Sequence, residues 1–176
     1  MARSKIQVAG LAFGALLVIA ATTYVFVAPY NRIAGVRIGG TITPPPADFT
    51  AVYKRSVGNI KTGGFPPFVV NVSLVPFKDG FITSTRPDGG YWAERARIAP
   101  EGYVRFGDST FAMKATEVTG DAKKPYLQAM FGPDLNRRLS GGVIIGESEP
   151  VGEWQVVLWT PRERTPATAR QLSPQV

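Results

Sequence analysis

From Ile6 to Ala28 the chain reads IQVAGLAFGALLVIAATTYVFVA, with no charge and no periodic separation of polar from apolar positions. At about 1.5 Å per helical residue this run outreaches the roughly 30 Å hydrocarbon core of a bilayer, and a lone segment in lipid satisfies its backbone only as a helix. The expectation is an uncleaved transmembrane helix over 6–28, preceded by a short flank, 1–5. Two alternatives compete with it. A cleavable signal peptide has a shorter apolar core and a small-x-small site; only Val27-Ala28 offers such an end, and Pro29 follows it directly. A buried core helix is disfavoured by apolarity on every face and by Arg3 and Lys5 just ahead of the run.

The pattern then changes. Residues 29–47 hold Gly35, Gly39, Gly40 and the triplet Pro44-Pro45-Pro46, which predicts a stiff connector, extended where proline fixes φ. Asp48 is positioned to cap a short helix over 49–57, with Phe49, Val52 and Tyr53 at helical spacing. Period two begins at 68–75, FVVNVSLV, where Val70, Val72 and Leu74 alternate with Asn71 and Ser73. Asp79-Gly80 turns the chain into a strand over 80–85, and 87–90 is a loop. A helix is predicted over 91–98, a hairpin over 103–106 and 110–118 around Gly107-Asp108, and one or two helices over 125–139 broken at Gly132-Pro133. Strands follow over 142–145 and 153–160, and 161–176 form a polar tail without apolar period. The fold class expected is mostly β: one transmembrane helix, then a six-stranded antiparallel barrel over 48–160 with short helices.

Composition narrows the chemistry. Twenty Lys and Arg against 13 acids give a formal charge of +7, which favours anionic lipid or an acidic partner. The basic residues are scattered, with no cluster of the kind that grips nucleic acid, and none is expected as partner. Cysteine and histidine are both absent, which removes disulfides, thiolate chemistry and triads built on histidine. Turn aspartates Asp79, Asp88 and Asp108 satisfy local backbone, and no metal site or catalytic constellation is expected. Trp154 and Trp159 are expected in the core or an interface.

In the membrane helix, Gly10 and Gly14 make a GxxxG spacing that allows another helix to approach closely; glycine is also simply frequent in such helices. Arg3 and Lys5 slightly outweigh the charge after the span, which places the N-terminus inside. The location expected is a bacterial-type inner membrane, single-pass, with the soluble domain periplasmic.

The run Asn59-Ile60-Lys61-Thr62-Gly63-Gly64-Phe65-Pro66-Pro67 leading into FVVNV, then Asp79 to Thr85, Trp92 to Arg105 and Gly107 to Val118, resembles the flavin-binding split barrel of the pyridoxamine 5'-phosphate oxidase and deazaflavin-dependent nitroreductase superfamily. The likeness covers 49–118 and extends loosely beyond. It implies a flavin in a groove between two barrels, its phosphate met by Ser84, Thr85 and Arg86, with Arg95 or Arg97 as auxiliary charge. Arginine suits that role because its fork binds phosphate in a bidentate manner. Where the superfamily carries a lysine soon after the hydroxyls, this chain has Gly90-Tyr91-Trp92. The residues admit a second interpretation: Ser84 and Thr85 as ordinary strand positions, and the three arginines as a solvated basic face.

Two functions follow. One is an accessory subunit, without cofactor, of a multi-subunit energy-transducing membrane complex, photosynthetic or respiratory, whose helix packs among other transmembrane subunits while its barrel caps them. The other is a membrane-anchored oxidoreductase using FMN or a deazaflavin to reduce a quinone or another lipophilic acceptor, in which the cofactor carries the electrons and side chains contribute little.

Overall fold

Without a polar face, Lys5–Val27 forms one helix, α1, long and apolar enough to cross a membrane. Its large side chains from Val8 to Ile19 are uncovered: Leu11, Phe13, Leu16, Val18 and Ile19 are exposed, and further on Phe26 reaches 71%. Apolar surface of that extent requires cover by lipid or protein. The computed structural model describes residues 5–30, 33–139 and 149–162.

The remaining elements are β1 (Thr41–Ile42), α2 (Phe49–Val52), β2 (Ser56–Thr62), β3 (Phe68–Phe77), β4 (Gly80–Thr85), α3 (Tyr91–Ile98), β5 (Glu101–Phe106), β6 (Ser109–Val118), α4 (Lys124–Phe131) and β7 (Gln155–Pro161). Strands run β6-β5-β2-β3-β4-β7, and β7 pairs back onto β6 to close a six-stranded antiparallel barrel. Closure leaves no free edge. β1 adds a short parallel pairing to β6. Two-residue loops, Lys78-Asp79 and Gly107-Asp108, make the hairpins, Gly107 supplying φ +60°.

A six-stranded barrel is narrow enough for side chains to fill. Ile60, Leu74, Val104, Met113, Val157 and Trp159 point inward. α2 stops the mouth beside the hairpin loops with Phe49, whose ring meets Phe81 edge-on at 4.9 Å and Phe111 at 5.4 Å. α3 covers the opposite mouth with Trp92, Ala93 and Ala96. Inside, Thr83 Oγ1 donates to the Val157 carbonyl at 3.1 Å and accepts from Trp159 Nε1 at 3.1 Å. On the outside of β3, β4 and β7, a second core forms where Leu127 and Met130 of α4, with Val151 and Trp154, cover Val75, Ile82 and Val156.

The mostly β class, the hairpins and α3 are as predicted, and the two tryptophans fill the two cores. Three elements differ. The helix expected over 49–57 is one turn: Asp48 caps Thr50, but Tyr53 is already extended, and β2 follows from Ser56. Gly58, Ile60 and Thr62 are needed on the inner wall, where a Cβ on Gly58 would lie 2.5 Å from the Arg105 carbonyl. The sixth barrel strand is therefore β2; the strand expected over 142–145 lies outside the described residues, as do 163–176 of the tail. Of the one or two helices expected over 125–139, the first is α4, broken at Gly132 as expected where that residue takes φ +92°, and no second helix follows over 133–139.

The connector, finally, is not a spacer. Gly35 exchanges two hydrogen bonds with Val69 of β3, at 2.7 and 2.8 Å, and Tyr24 Oη of α1 donates to the Ala34 carbonyl at 2.8 Å. Further on, Thr41 and Thr43 donate to the Asp108 and Thr110 carbonyls. The segment is laced to the barrel wall, and it carries the end of α1 with it.

Candidate functional site

β4 brings Ser84 and Thr85, both half-buried, to the barrel end beside α3, and Arg86 follows at the strand's exit. Thr85 faces the start of α3, its hydroxyl 3.7 Å from where a Cβ on Gly90 would stand. Around them a shallow groove is lined by Pro87 to Tyr91, Glu94, Arg97 and Gln155. Of the five residues singled out for a phosphate, Ser84, Thr85 and Arg86 follow one another into the edge of this groove and Arg97 lines it.

Arg86 is engaged in a bidentate pair. Its Nε and Nη2 donate to the two carboxylate oxygens of Glu149 at 3.0 and 3.1 Å, with Asp88 3.8 Å away. The hydrogen bond from Arg86 holds the Glu149 carboxyl below the ordinary carboxylate range, and the same bond raises the Arg86 guanidinium. Such a fork is among the stronger charge-assisted contacts, so a phosphate at Arg86 must displace a carboxylate already in place.

Arg97 is committed as well. Its Nε donates to Glu117 at 2.7 Å and its Nη2 to Gln155 at 2.9 Å, and Gln155 in turn donates to the Pro87 carbonyl at 3.0 Å. This chain of contacts ties α3 to β6, β7 and the loop after β4. With Asp88 and Glu94 on the same rim, the groove carries mixed charge rather than a positive field.

Arg95, two residues earlier on α3, points elsewhere. Its guanidinium lies over the rings of Phe68 and Tyr91, at 5.6 and 5.4 Å from their centroids. It donates to Thr62 Oγ1 at 3.3 Å, to the Gly63 carbonyl at 3.1 Å and to the Pro66 carbonyl at 2.6 Å. Arg95 thus closes the Gly63 to Pro66 loop. The structure groups Ser84, Thr85 and Arg86 and engages Arg95 with a different loop; aromatic neighbours Phe68 and Tyr91, visible in the sequence, were the signal for that second role.

Gly10 and Gly14 share one face of α1, with nothing within 4 Å of a Cβ at either position. Together with Gln7, Leu11 and Ala15 they line a shallow depression on the helix surface. No protein-family model matches this chain, and no curated protein matches it either.

Proposed function

We propose that the protein is a single-span accessory subunit of a multi-subunit membrane complex, with α1 docked among partner helices and the barrel held over them. The observation that carries this is the open Gly10-Gly14 face on a helix whose large apolar side chains from Val8 to Ile19 are exposed. In lipid, small residues at that spacing let two backbones approach and gain packing that bulky side chains prevent. An uncleaved anchor is supported by Tyr24 and Ala28, which belong to the joint with the barrel, Ala28 being buried there. Charge before the span favours the N-terminus inside and the barrel on the periplasmic side of a bacterial-type inner membrane. The internal commitment of Arg86, Arg95 and Arg97 supports a role in which these side chains stabilise the barrel instead of gripping a flavin phosphate.

The test is purification of the full chain from its native membrane in mild detergent. Co-migration with other membrane subunits on a native gel, weakened by Gly14→Leu, is the expected result. A chain that migrates alone, or one that carries stoichiometric flavin absorbance lost on Arg86→Gln, overturns the proposal.

A further inference from the structure

Where α1 meets the barrel there is a crevice of about 410 Å³ that the docking role leaves unused. Its floor is one cross-strand row on the outer wall. Asn71 of β3 pairs in register with Asn59 of β2, and Asn59 with Arg105 of β5. These three face out because Ile60, Val72 and Val104, one step along each strand, face the core. The end of α1, Val25 to Pro29, forms the roof, and Arg37, Ile38 and Gly39 close one side.

The polar groups of this crevice are ordered but not neutralised. Arg37 lies over the Phe26 ring, 5.0 Å from its centroid, and among the described residues no carboxylate pairs with it. Arg105 is aimed by two carbonyls, Nε donating to Gly107 at 2.7 Å and Nη1 to Ile38 at 3.1 Å. That leaves Nη2, whose acidic neighbour, Asp108, is 3.6 Å away with a fully exposed side chain. A pair so open to solvent contributes little and yields readily to a competing anion. Asn59 donates to Asn71 Oδ1 at 2.6 Å, which fixes both amides against the floor.

We propose that this crevice binds the phosphate of an anionic phospholipid headgroup, in the leaflet where α1 leaves the bilayer. Two guanidinium groups, one fixed and one stacked on an interfacial ring, supply charge-assisted donors to a phosphodiester, and the amide row offers hydrogen bonds to a polyol headgroup. Phosphate in solution has the same oxygen chemistry. What selects the lipid is position: Phe26 and the last turn of α1 belong to the membrane boundary, so the crevice opens at headgroup depth and the acyl chains run down the exposed helix. The inference rests on α1 spanning the membrane.

The experiment uses the full chain reconstituted in bilayer nanodiscs of phosphatidylcholine with a minority of phosphatidylglycerol, re-extracted in mild detergent, with retained lipid quantified by mass spectrometry. Wild type is expected to retain phosphatidylglycerol in excess of its share. Arg37→Gln, at an exposed side chain stacked on the Phe26 ring and outside both cores, should lower that excess about threefold, and Arg37→Gln with Arg105→Gln about tenfold. Arg162→Gln, which is paired with Glu101 and stacked on Tyr103 further along β5 and does not line the crevice, should leave it unchanged. Equal retention in wild type and the Arg37→Gln variant overturns the proposal, and so does an equal loss in Arg162→Gln, which would mean net charge alone. Inorganic phosphate at millimolar concentration abolishing the excess would overturn the lipid source. Carbonate extraction of the same membranes separates the two levels: wild-type chain released to the supernatant overturns the spanning helix and this inference together, whereas retention in the pellet without lipid preference overturns the crevice alone.

Discussion

Inside the barrel, Thr83 and Trp159 form a pair whose removal should be strongly non-additive. Both are fully buried, and the threonine hydroxyl accepts from the indole N–H at 3.1 Å while donating to the Val157 carbonyl at 3.1 Å. Thr83→Val preserves shape and deletes both contacts, leaving the Trp159 N–H buried without an acceptor. An orphaned buried donor costs about 1–3 kcal/mol, so a loss of about 2 kcal/mol is expected. In a domain of this size that lowers Tm by about 6–8 °C. Trp159→Phe alone loses ring volume and costs about 2 kcal/mol. Once the indole is gone, however, Thr83→Val orphans nothing on the ring, and its further cost falls to about 0.5 kcal/mol. The double-mutant cycle should therefore show a coupling of about 1.5 kcal/mol. Far-UV circular dichroism of the full chain in mild detergent, followed through urea unfolding, measures each corner without relying on tryptophan fluorescence. A Thr83→Val protein within 0.5 kcal/mol of wild type, or strictly additive corners, would refute the orphaned-donor reasoning.

Three further outcomes follow from single contacts. Arg95→Met keeps the aliphatic stem but deletes the donors to Thr62, Gly63 and Pro66, and should cost about 2 kcal/mol and speed hydrogen exchange selectively at 63–66; unchanged exchange there would contradict the clamp. Gly80→Ala would place a Cβ 1.9 Å from the Trp159 carbonyl, forcing β4 away from β7, and is expected to cost about 3 kcal/mol or prevent folding, seen as loss of the thermal transition. The Glu149 carboxyl is depressed by its hydrogen bond from Arg86, so the stability it contributes is present above its unfolded pKa and lost as pH falls through the lower folded one. NMR titration of the Glu149 carboxyl should show it titrating below the ordinary range in wild type and within that range in Arg86→Gln; coincident curves would sink the pairing.

Local patterns were readable wherever one physical cause dominated. An apolar run without charge could only be α1, and Asp79-Gly80 and Gly107-Asp108 announced their hairpins because few residues suit those turns. β2 was hidden because its inward positions are Gly58, Ile60 and Thr62, only one of them strongly apolar; the wall is narrow there and a larger residue at 58 meets the neighbouring strand. β7 lacks a polar face to mark its period, since Val156 and Leu158 face the second core while Val157 and Trp159 face the barrel, and both sides are covered. The site was legible only in part. Ser84, Thr85 and Arg86 could be placed at a strand end, but Glu149, 63 residues beyond Arg86, is a partner that no spacing rule announces.

The joint between helix and barrel bears most directly on what this architecture can do. Nineteen residues of glycine- and proline-containing chain, 29–47, have the length to let a domain roam well away from a bilayer if they run free. They do not run free, because Gly35 closes against both the helix end and the barrel wall: its amide and carbonyl bind Val69, and a Cβ on it would stand 2.6 Å from Pro29 N and 2.8 Å from the Ala28 carbonyl oxygen. Only glycine permits that approach, and two hydrogen bonds hold it. The strands carrying Asn71, Asn59 and Arg105 are thereby set against the end of α1, so the barrel's inclination to α1 is a property of the fold rather than of a tether. Under the proposed docking role, a helix face with Gly10 and Gly14 and a barrel with a fixed inclination would together constrain a partner more tightly than either alone: docking at the helix would determine which barrel surface meets the neighbour. A fixed inclination is what the proposed subunit role requires, whereas an anchored enzyme would need the barrel near the bilayer but not in any one orientation.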